Sequence, residues 1–262
     1  MGMQQRIKQV YSIAKSNGNL LELESKVHRI EEKGMEFIVR LSTGFQKKID
    51  NNFAKTLENP FLPVNEHLKI TEIDSQKGHT VVLNKFCVVP YHFLLVTNDY
   101  ESQNSLLDLS DFDAIEKCFK NSNGEKLVAF YNCGPDSGAS QPHKHIQFIP
   151  YKDLPVESQI SKSTIPNFTF THEFQKVTDF DSESLHQTFS KMVNTLSIPT
   201  SFNFLMTPEW MLLVPRKTSN TNSIFMNSVG FLGWILVKTE EQLDIVKKVG
   251  PLTLLHELTF KK

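Results

Sequence analysis

Four segments of the chain place apolar residues at the three-to-four-residue spacing of an amphipathic helix. In the first, residues 3–14, the apolar side chains Ile7, Tyr11 and Ala14 fall on one side. Each of the other three segments is preceded by a residue that favours the start of a helix. They are 111–120, which follows Ser110, the segment that follows Asp181, and the segment that begins at Thr239 and ends at Gly250. A helix is predicted for each segment.

Other segments alternate apolar with polar residues or form short β-branched runs, which is typical of strands. The predicted strands are 35–42, 80–83, 93–97, 126–134, 143–150 and a hairpin within 201–216. The stretches 20–34 and 227–238 are compatible with either helix or strand. Strands and helices occur on both sides of 150–165, which is predicted to be a loop crossing the surface, so we expect an α+β fold.

The composition is that of an ordinary globular protein, with 39% hydrophobic and 22% charged residues in a chain of 262. The formal net charge of -1 provides no global field that would attract nucleic acid or an anionic membrane. We therefore expect neither as a partner, and a phosphate-bearing ligand would need locally placed cations.

The cysteines, Cys87, Cys118 and Cys133, are scattered and form no C-x-x-C pair, which favours a reducing compartment. No apolar run approaches the roughly 20 residues of a membrane helix, and the N-terminal segment has no uninterrupted apolar region typical of a secretory signal. We expect a cytoplasmic protein, with the nucleus left open.

The stretch SGASQPHKHIQF places His143, His145 and Gln147 at alternating positions behind a glycine turn. In a strand these three side chains share one face. One interpretation is a zinc site, but no third ligand with metal-like spacing is evident, so we predict no metal. A second is a solvated or hydrogen-bonded polar face, and a third is nucleophilic catalysis at phosphorus.

The chemistry of the residue types favours the third interpretation. Imidazole is largely unprotonated near pH 7 and can attack phosphorus without an added base, provided that an acceptor holds one ring nitrogen as N–H. A glutamine amide can donate to phosphoryl oxygens, and a glycine turn can present backbone N–H groups to an anion. The pattern therefore indicates nucleotide transfer, with an exposed histidine as the nucleophile.

The pentapeptide HKHIQ resembles the H-x-H-x-Q signature of transferases in the histidine-triad and galactose-1-phosphate uridylyltransferase-like superfamily. The longer stretch GASQPHKHIQ is similar to the diadenosine tetraphosphate phosphorylases of yeasts, as are NPFLP, VLNKF, HFLLVT, WMLLVPR and NSVGFLGWILVK. The resemblance implies two related antiparallel-sheet halves with flanking helices. Residues 1–150 would carry the catalytic motif, and 151–262 would complete the nucleotide site.

The resemblance also implies an activity, that of an ATP adenylyltransferase which phosphorolyses diadenosine tetraphosphate. His145 would attack the α-phosphorus and release ATP, and inorganic phosphate would then take the adenylyl group and leave as ADP. The carbonyl of His143 would fix the tautomer of His145, and Gln147 would hold phosphoryl oxygens. No cofactor is required, although Mg²⁺ could accompany the substrate, and we expect a monomer.

Further residues match the substrate-binding positions of the family, although each has a simpler structural explanation. Lysines are commonly surface residues, asparagines cap turns, and glycines serve turn geometry. The implied residues are Lys47 or Lys48, Asn84, Lys85, Asn132, Gly138, Ala139, Ser140, Gln141, Asn227, Ser228, Val229, Trp234 and Lys238. Arg216 could be a salt-bridged strand end or a phosphate ligand.

Two other functions stay open at this point. A related transferase could act on an adenylylsulfate or a nucleotide-sugar, which a panel of nucleotides would distinguish. A nucleotide-binding protein with reduced activity would bind the nucleotide without forming product.

Gln147→His tests the role that the resemblance gives to the glutamine, since hydrolysing members of the superfamily carry a third histidine there. The change should shift the acceptor from phosphate toward water. We expect more product in the absence of phosphate, measured by separating the nucleotides. An unchanged dependence on phosphate would argue against this role of Gln147.

Overall fold

The computed structural model describes residues 2–42, 59–160, 165, 167–197 and 200–262, so Lys47 and Lys48 lie outside the described residues. The helices are α1 (Met3–Ser16), α2 (Leu109–Lys120), α3 (Ser182–Leu196), α4 (Glu240–Val249) and α5 (Pro251–Glu257). No helix in these ranges is long and apolar enough to cross a membrane.

Strands occur in both parts of the chain. The first are β1 (Leu21–Glu22), β2 (Lys26–Glu32), β3 (Met35–Leu41), β4 (Lys69–Ile73), β5 (His79–Leu83), β6 (Phe86–Cys87), β7 (Phe93–Thr97) and β8 (Leu127–Cys133). The others are β9 (His145–Pro150), β10 (Glu173–Lys176), β11 (Phe202–Met206), β12 (Trp210–Pro215), β13 (Asn220–Thr221), β14 (Ile224–Phe225) and β15 (Trp234–Val237). The predicted α+β fold class is confirmed.

An eight-stranded antiparallel sheet forms the centre of the molecule, in the order β10-β12-β11-β8-β9-β7-β5-β4. Strands from before and after residue 150 join edge to edge where β8 pairs with β11. A second sheet has the order β15-β3-β2. The division into halves at residue 150 stays a prediction.

Both faces of the central sheet are covered by apolar side chains. On one face Tyr131, Ile146 and Phe148 pack against residues of α1, α2 and α3. On the other face one apolar cluster joins β8, β11 and β12 to the β15-β3-β2 sheet, α4 and α5. A smaller cluster on this face consists of Phe61, Val82, Leu94 and Val96. Strand β9 is therefore buried on both sides.

Helix α2 begins earlier than predicted, and its N-cap is Asp108 rather than Ser110. The Asp108 carboxylate accepts hydrogen bonds from the N–H groups of Ser110 and Asp111, at 2.9 and 3.2 Å. Asp111 accepts from the Asp108 N–H at 2.9 Å, which completes a capping box. A carboxylate also interacts more favourably than a hydroxyl with the positive end of the helix dipole.

The structure resolves the two segments that were compatible with either helix or strand. Residues 20–34 contain β1 and β2, and 227–238 contain a 3-10 turn at Ser228–Leu232 followed by β15. The prediction that 150–165 is only a surface loop is wrong. Pro155–Gln159 forms a 3-10 turn, and Val156 is buried in the apolar cluster that joins the central sheet to the β15-β3-β2 sheet.

Lys144, between the two histidines of the motif, points to the opposite face and is 1% exposed. Its ammonium group donates to Asp111 at 2.6 Å and to Glu101 at 3.0 Å. Asp111 also lies 3.0 Å from Nε2 of His79. Burial alone would raise the pKa of Asp111, but hydrogen bonds from His79 and the nearby charge of Lys144 outweigh it and lower that pKa. These contacts tie the start of β9 to α2.

Lys144→Met should destabilise the fold strongly, because it leaves the Asp111 carboxylate buried without its cation. Removing one partner of a buried ion pair costs about 3–5 kcal/mol, and urea unfolding measures this loss. The control is Lys120→Met, since Lys120 also pairs with a carboxylate, that of Glu116, but its own side chain is exposed to water. Equal unfolding midpoints for the two variants would contradict the anchoring role of Lys144.

Candidate active site

His145 and Gln147 project from β9 into the gap between the two apolar clusters on one face of the sheet. Gln147 lies opposite Leu94 of β7 and Phe130 of β8. The Phe61 ring centroid is 5.3 Å from that of His145. The expectation of an exposed nucleophile is wrong: His145 is 3% exposed, because β9 is flanked by strands on both sides and covered on both faces.

His143 precedes β9 and forms an isolated bridge with Ser102. Its Nε2 atom lies 3.0 Å from the carbonyl oxygen of Thr97, which can only accept, so this nitrogen carries the proton. Nδ1 is then able to accept from Nδ2 of Asn59 at 3.1 Å. Burial lowers the pKa of His143. Tyr100 is 56% exposed, and the centroid of its ring lies 5.5 Å from the centroid of the His143 ring.

The tautomer of His145 follows from one hydrogen bond. Nδ1 lies 2.8 Å from the main-chain carbonyl oxygen of His143, which can only accept, so Nδ1 carries the proton. The lone pair is therefore on Nε2. Burial lowers the pKa of His145 to about 4, so the ring is neutral near pH 7. A buried neutral imidazole with its lone pair on Nε2 is suited to nucleophilic attack.

The side chain of Gln103 bridges β8 and β9 beside His145, a role that was not predicted from the sequence. Its Oε1 accepts from the His145 N–H at 2.8 Å, and its Nε2 donates to the carbonyl of Asn132 at 2.8 Å. The regular β8–β9 register reaches Phe130 and Gln147. Gln103 therefore satisfies the backbone where the two strands separate to form the site.

Asn84 is connected to Gln147 through His92, which the sequence analysis also missed. Nδ2 of Asn84 is 3.2 Å from Nδ1 of His92, and Nε2 of His92 is 3.1 Å from Oε1 of Gln147. Lys85 follows Asn84, with its Nζ 5.8 Å from the centroid of the Phe86 ring. These residues lie at the end of β5, and a substrate-binding role for Asn84 and Lys85 stays a prediction.

The side chain of Asn132 is at the centre of a buried polar cluster. Its Oδ1 accepts from Nδ2 of Asn203 at 2.8 Å and from Oγ and N–H of Ser228 at 2.6 and 3.0 Å. Only its amide hydrogens are then left for a ligand. Oδ1 of Asn203 accepts in turn from Arg216. Arg216 is 2% exposed and bonds to amide and carbonyl oxygens, so it acts inside this cluster.

The glycine turn packs directly on the segment that contains Asn227. Gly138 has φ +84°, and a Cβ atom there would lie 2.7 Å from the Met226 carbonyl and 2.8 Å from Cβ of Asn227. Three N–H groups of the turn, those of Asp136, Ser137 and Ala139, are already hydrogen-bonded within the protein. Only other N–H groups of the turn could bind an anion.

The structure therefore brings together His143, His145 and Gln147 with Asn132, Gly138, Asn227 and Ser228. Val229, two residues after Asn227, donates its N–H to Oδ1 of Asn227 at 3.2 Å. Ala139 and Gln141 are half-buried and Ser140 is exposed in the turn.

Trp234 lies on the second sheet rather than on β9, and Lys238 lies just beyond that sheet. Trp234 begins β15 opposite Ile38, and Lys238 follows the last residue of that strand. Alternation along β15 places these two side chains on the same side. Their roles, like those of the other proposed ligand-binding residues, stay predictions.

Metal ligands are not grouped in the part of the chain that the structure describes, where no set of three or more His, Cys, Asp or Glu residues could hold an ion. The three cysteines are free and buried. That the reaction requires no cofactor stays a prediction.

This fold and site define a histidine-triad-type protein, with a neutral histidine on the central strand and amide donors around it. The family model of the Ap4A phosphorylase N-terminal domain matches residues 2–167. The model of the ATP adenylyltransferase C-terminal domain matches residues 166–261. The chain belongs to the Ap4A phosphorylase family, which confirms the resemblance inferred from the motif.

Individual relatives agree with this assignment. The chain is 30% identical to diadenosine tetraphosphate phosphorylase 2 of Saccharomyces cerevisiae, over 92% of this chain and 89% of the relative. The crystal structure of yeast Ap4A phosphorylase Apa2 in complex with AMP has 25% identity and a TM-score of 0.86, covering 99% of this chain and 96% of that one. Another crystal structure of yeast Apa2 has a TM-score of 0.87 at 24% identity, covering 99% of this chain and 97% of that one, and supports the fold.

The lowered pKa of His145 can be measured without a substrate. With ¹⁵N-labelled histidine, the ring nitrogen shifts of His145 should stay constant from pH 8 to about 5 and move only near pH 4. The signal is assigned by its loss in His145→Ala. A titration midpoint near the ordinary value of about 6.5 would contradict the effect of burial.

Proposed function

We propose that this protein phosphorolyses diadenosine tetraphosphate with inorganic phosphate, giving ATP and ADP through an adenylyl-histidine at His145. The observation that carries the proposal is the 2.8 Å hydrogen bond from Nδ1 of His145 to the carbonyl of His143, which leaves the lone pair on Nε2. The names of the relatives, and the Apa2 structure described as a complex with Ap4A, support the substrate.

In the first half-reaction, Nε2 of His145 attacks the α-phosphorus of the substrate. A P–N bond forms, the bond from this phosphorus to the bridging oxygen breaks, and ATP leaves with the electron pair. The proton on Nδ1 stays in place, so the adenylylated ring is cationic. The carbonyl of His143 stabilises this charge through the existing hydrogen bond.

In the second half-reaction, an oxygen of inorganic phosphate attacks the same phosphorus. The P–N bond breaks, its electron pair returns to Nε2, and ADP leaves. The amide hydrogens of Gln147 and Asn132 would donate to the non-bridging oxygens in both steps. Such donors stabilise charge without taking up a proton.

Several properties of this enzyme are also proposed. We propose that the chain acts as a cytoplasmic monomer and that no resident metal is needed, with Mg²⁺ entering only together with the nucleotide. Lys47 or Lys48, Lys85 and Lys238 would supply positive charge to the polyphosphate.

His145→Ala should abolish ATP and ADP formation and the covalent adenylyl-protein. The measurement is nucleotide separation after incubation with diadenosine tetraphosphate, with and without phosphate, together with mass spectrometry of acid-quenched protein. His172→Ala is a matched control, because Nδ1 of His172 lies 2.9 Å from the carbonyl of Phe170 two residues earlier, just as in His145, but His172 precedes the edge strand β10. The control should keep its activity.

Product formed only with phosphate would support the proposal. Wild-type turnover retained in His145→Ala would exclude this mechanism. Tight binding of the nucleotide by the wild type without product would instead favour a nucleotide-binding role or a different activated nucleotide.

A further inference from the structure

A chain of hydrogen bonds, half-buried at its start and buried at its end, connects the end of β5 to the catalytic strand. The N–H of Phe86 donates to Oδ1 of Asn84 at 3.0 Å, and Nδ2 of Asn84 lies 3.2 Å from Nδ1 of His92. Nε2 of His92 lies 3.1 Å from Oε1 of Gln147. His92 and Gln147 are 8% and 9% exposed, so the contact between them is largely shielded from water, whereas Asn84 is half-buried.

The direction of every bond in this chain is determined by its first member. A backbone N–H can only donate, so the Asn84 atom that it reaches is the oxygen, and the other Asn84 atom is the NH2 group. That group can only donate, so Nδ1 of His92 accepts. In a neutral ring the proton is then on Nε2, which donates to Oε1 of Gln147.

The surroundings of the His92 ring fix both its charge and its position. Burial lowers the pKa of His92 to about 4, so the ring is neutral near pH 7. Its centroid lies 6.0 Å from that of Phe130, which packs beside Gln147 on the adjacent strand. The His92 ring therefore contacts Phe130, the same side chain that packs beside Gln147.

We propose that His92 is a positioning residue that orients the amide of Gln147, so that its two N–H bonds face the transferring phosphoryl group. This inference rests on the proposed function. With Oε1 held by His92, the inverted amide, which would bring its oxygen against phosphoryl oxygens, is disfavoured by the loss of this hydrogen bond and by repulsion. Asn84 acts through His92 in the same way.

A structural role and a positioning role predict different results. If His92 only stabilised the fold, its replacement would lower stability and would reduce activity independently of Gln147. If His92 acts through Gln147, its replacement should have little further effect once the Gln147 amide has been removed. A double-mutant cycle measures this dependence.

The test compares His92→Leu, His92→Gln, Gln147→Ala and the double variant His92→Leu/Gln147→Ala. His92→Leu should lower kcat for phosphorolysis roughly 10²-fold, since misplaced groups in an active site cost about that much. His92→Gln retains an amide donor near the position of Nε2 and should recover most of this loss. The double variant should be no slower than Gln147→Ala.

Thermal unfolding of each variant separates misfolding from mispositioning. His79→Leu is a matched control, since His79 is 0% exposed and also bonded through both ring nitrogens, but contacts Ser75 and Asp111. It should lower stability without a selective loss of kcat. Additive losses in the double variant, or equal losses in His92→Leu and His92→Gln, would overturn the proposal.

A second readout does not depend on turnover. The ¹⁵N shifts of His92, assigned with His92→Gln, should show a protonated Nε2 and an unprotonated Nδ1 at pH 7. A proton on Nδ1, or a cationic ring, would overturn the inference. If the wild type showed this tautomer but did not convert diadenosine tetraphosphate, the proposed function would fail while the orientation of Gln147 would stand.

Discussion

The hydrogen bond from Nδ1 of His145 to the carbonyl of His143 is the interaction on which the site depends. The two atoms belong to residues only two positions apart, but the bond forms only because the chain at 143–145 is held from several sides. Gln103 satisfies the His145 N–H, Thr97 and Asn59 bond the His143 ring, and the Lys144 side chain is drawn to Asp111 behind the strand. Each contact removes a way for the segment to rotate.

Burial then imposes a rule on the polar groups that remain, because a buried acceptor or donor must be paired. The side-chain oxygens of Asn132 and Gln147 accept hydrogen bonds within the protein, which leaves their amide hydrogens for a ligand. In each case the chain of hydrogen bonds that fixes this orientation begins at a group that can only donate. For Gln147 this group is the N–H of Phe86, and for Asn132 it is the guanidinium of Arg216. A site for an anionic phosphoryl group therefore presents neutral donors whose orientation is set by the fold.

Several elements were predicted because their signals are local. The hairpin of β11 and β12, the helix after Asp181 and the helix between Thr239 and Gly250 all have caps, turns and apolar periods within a few residues. The predicted start of α2 was wrong because Asp108 and Ser110 are both good caps, and only the capping box formed with Asp111 distinguishes them. The predicted exposure of His145 was wrong because a pattern of polar residues along a strand does not reveal which other segments cover it.

The sequence by itself determined the class of fold, the family, and the alternation that puts His145 and Gln147 on one face of a strand, since each depends on residue type and short spacing. Only the tertiary structure decided that His145 is buried and neutral, and that His92, Gln103 and Asn203 support the site. The physical reason is separation along the chain: His92 and Gln147 are 55 residues apart, and Asn132 and Asn203 are 71 apart. Such partners meet only when the central sheet forms.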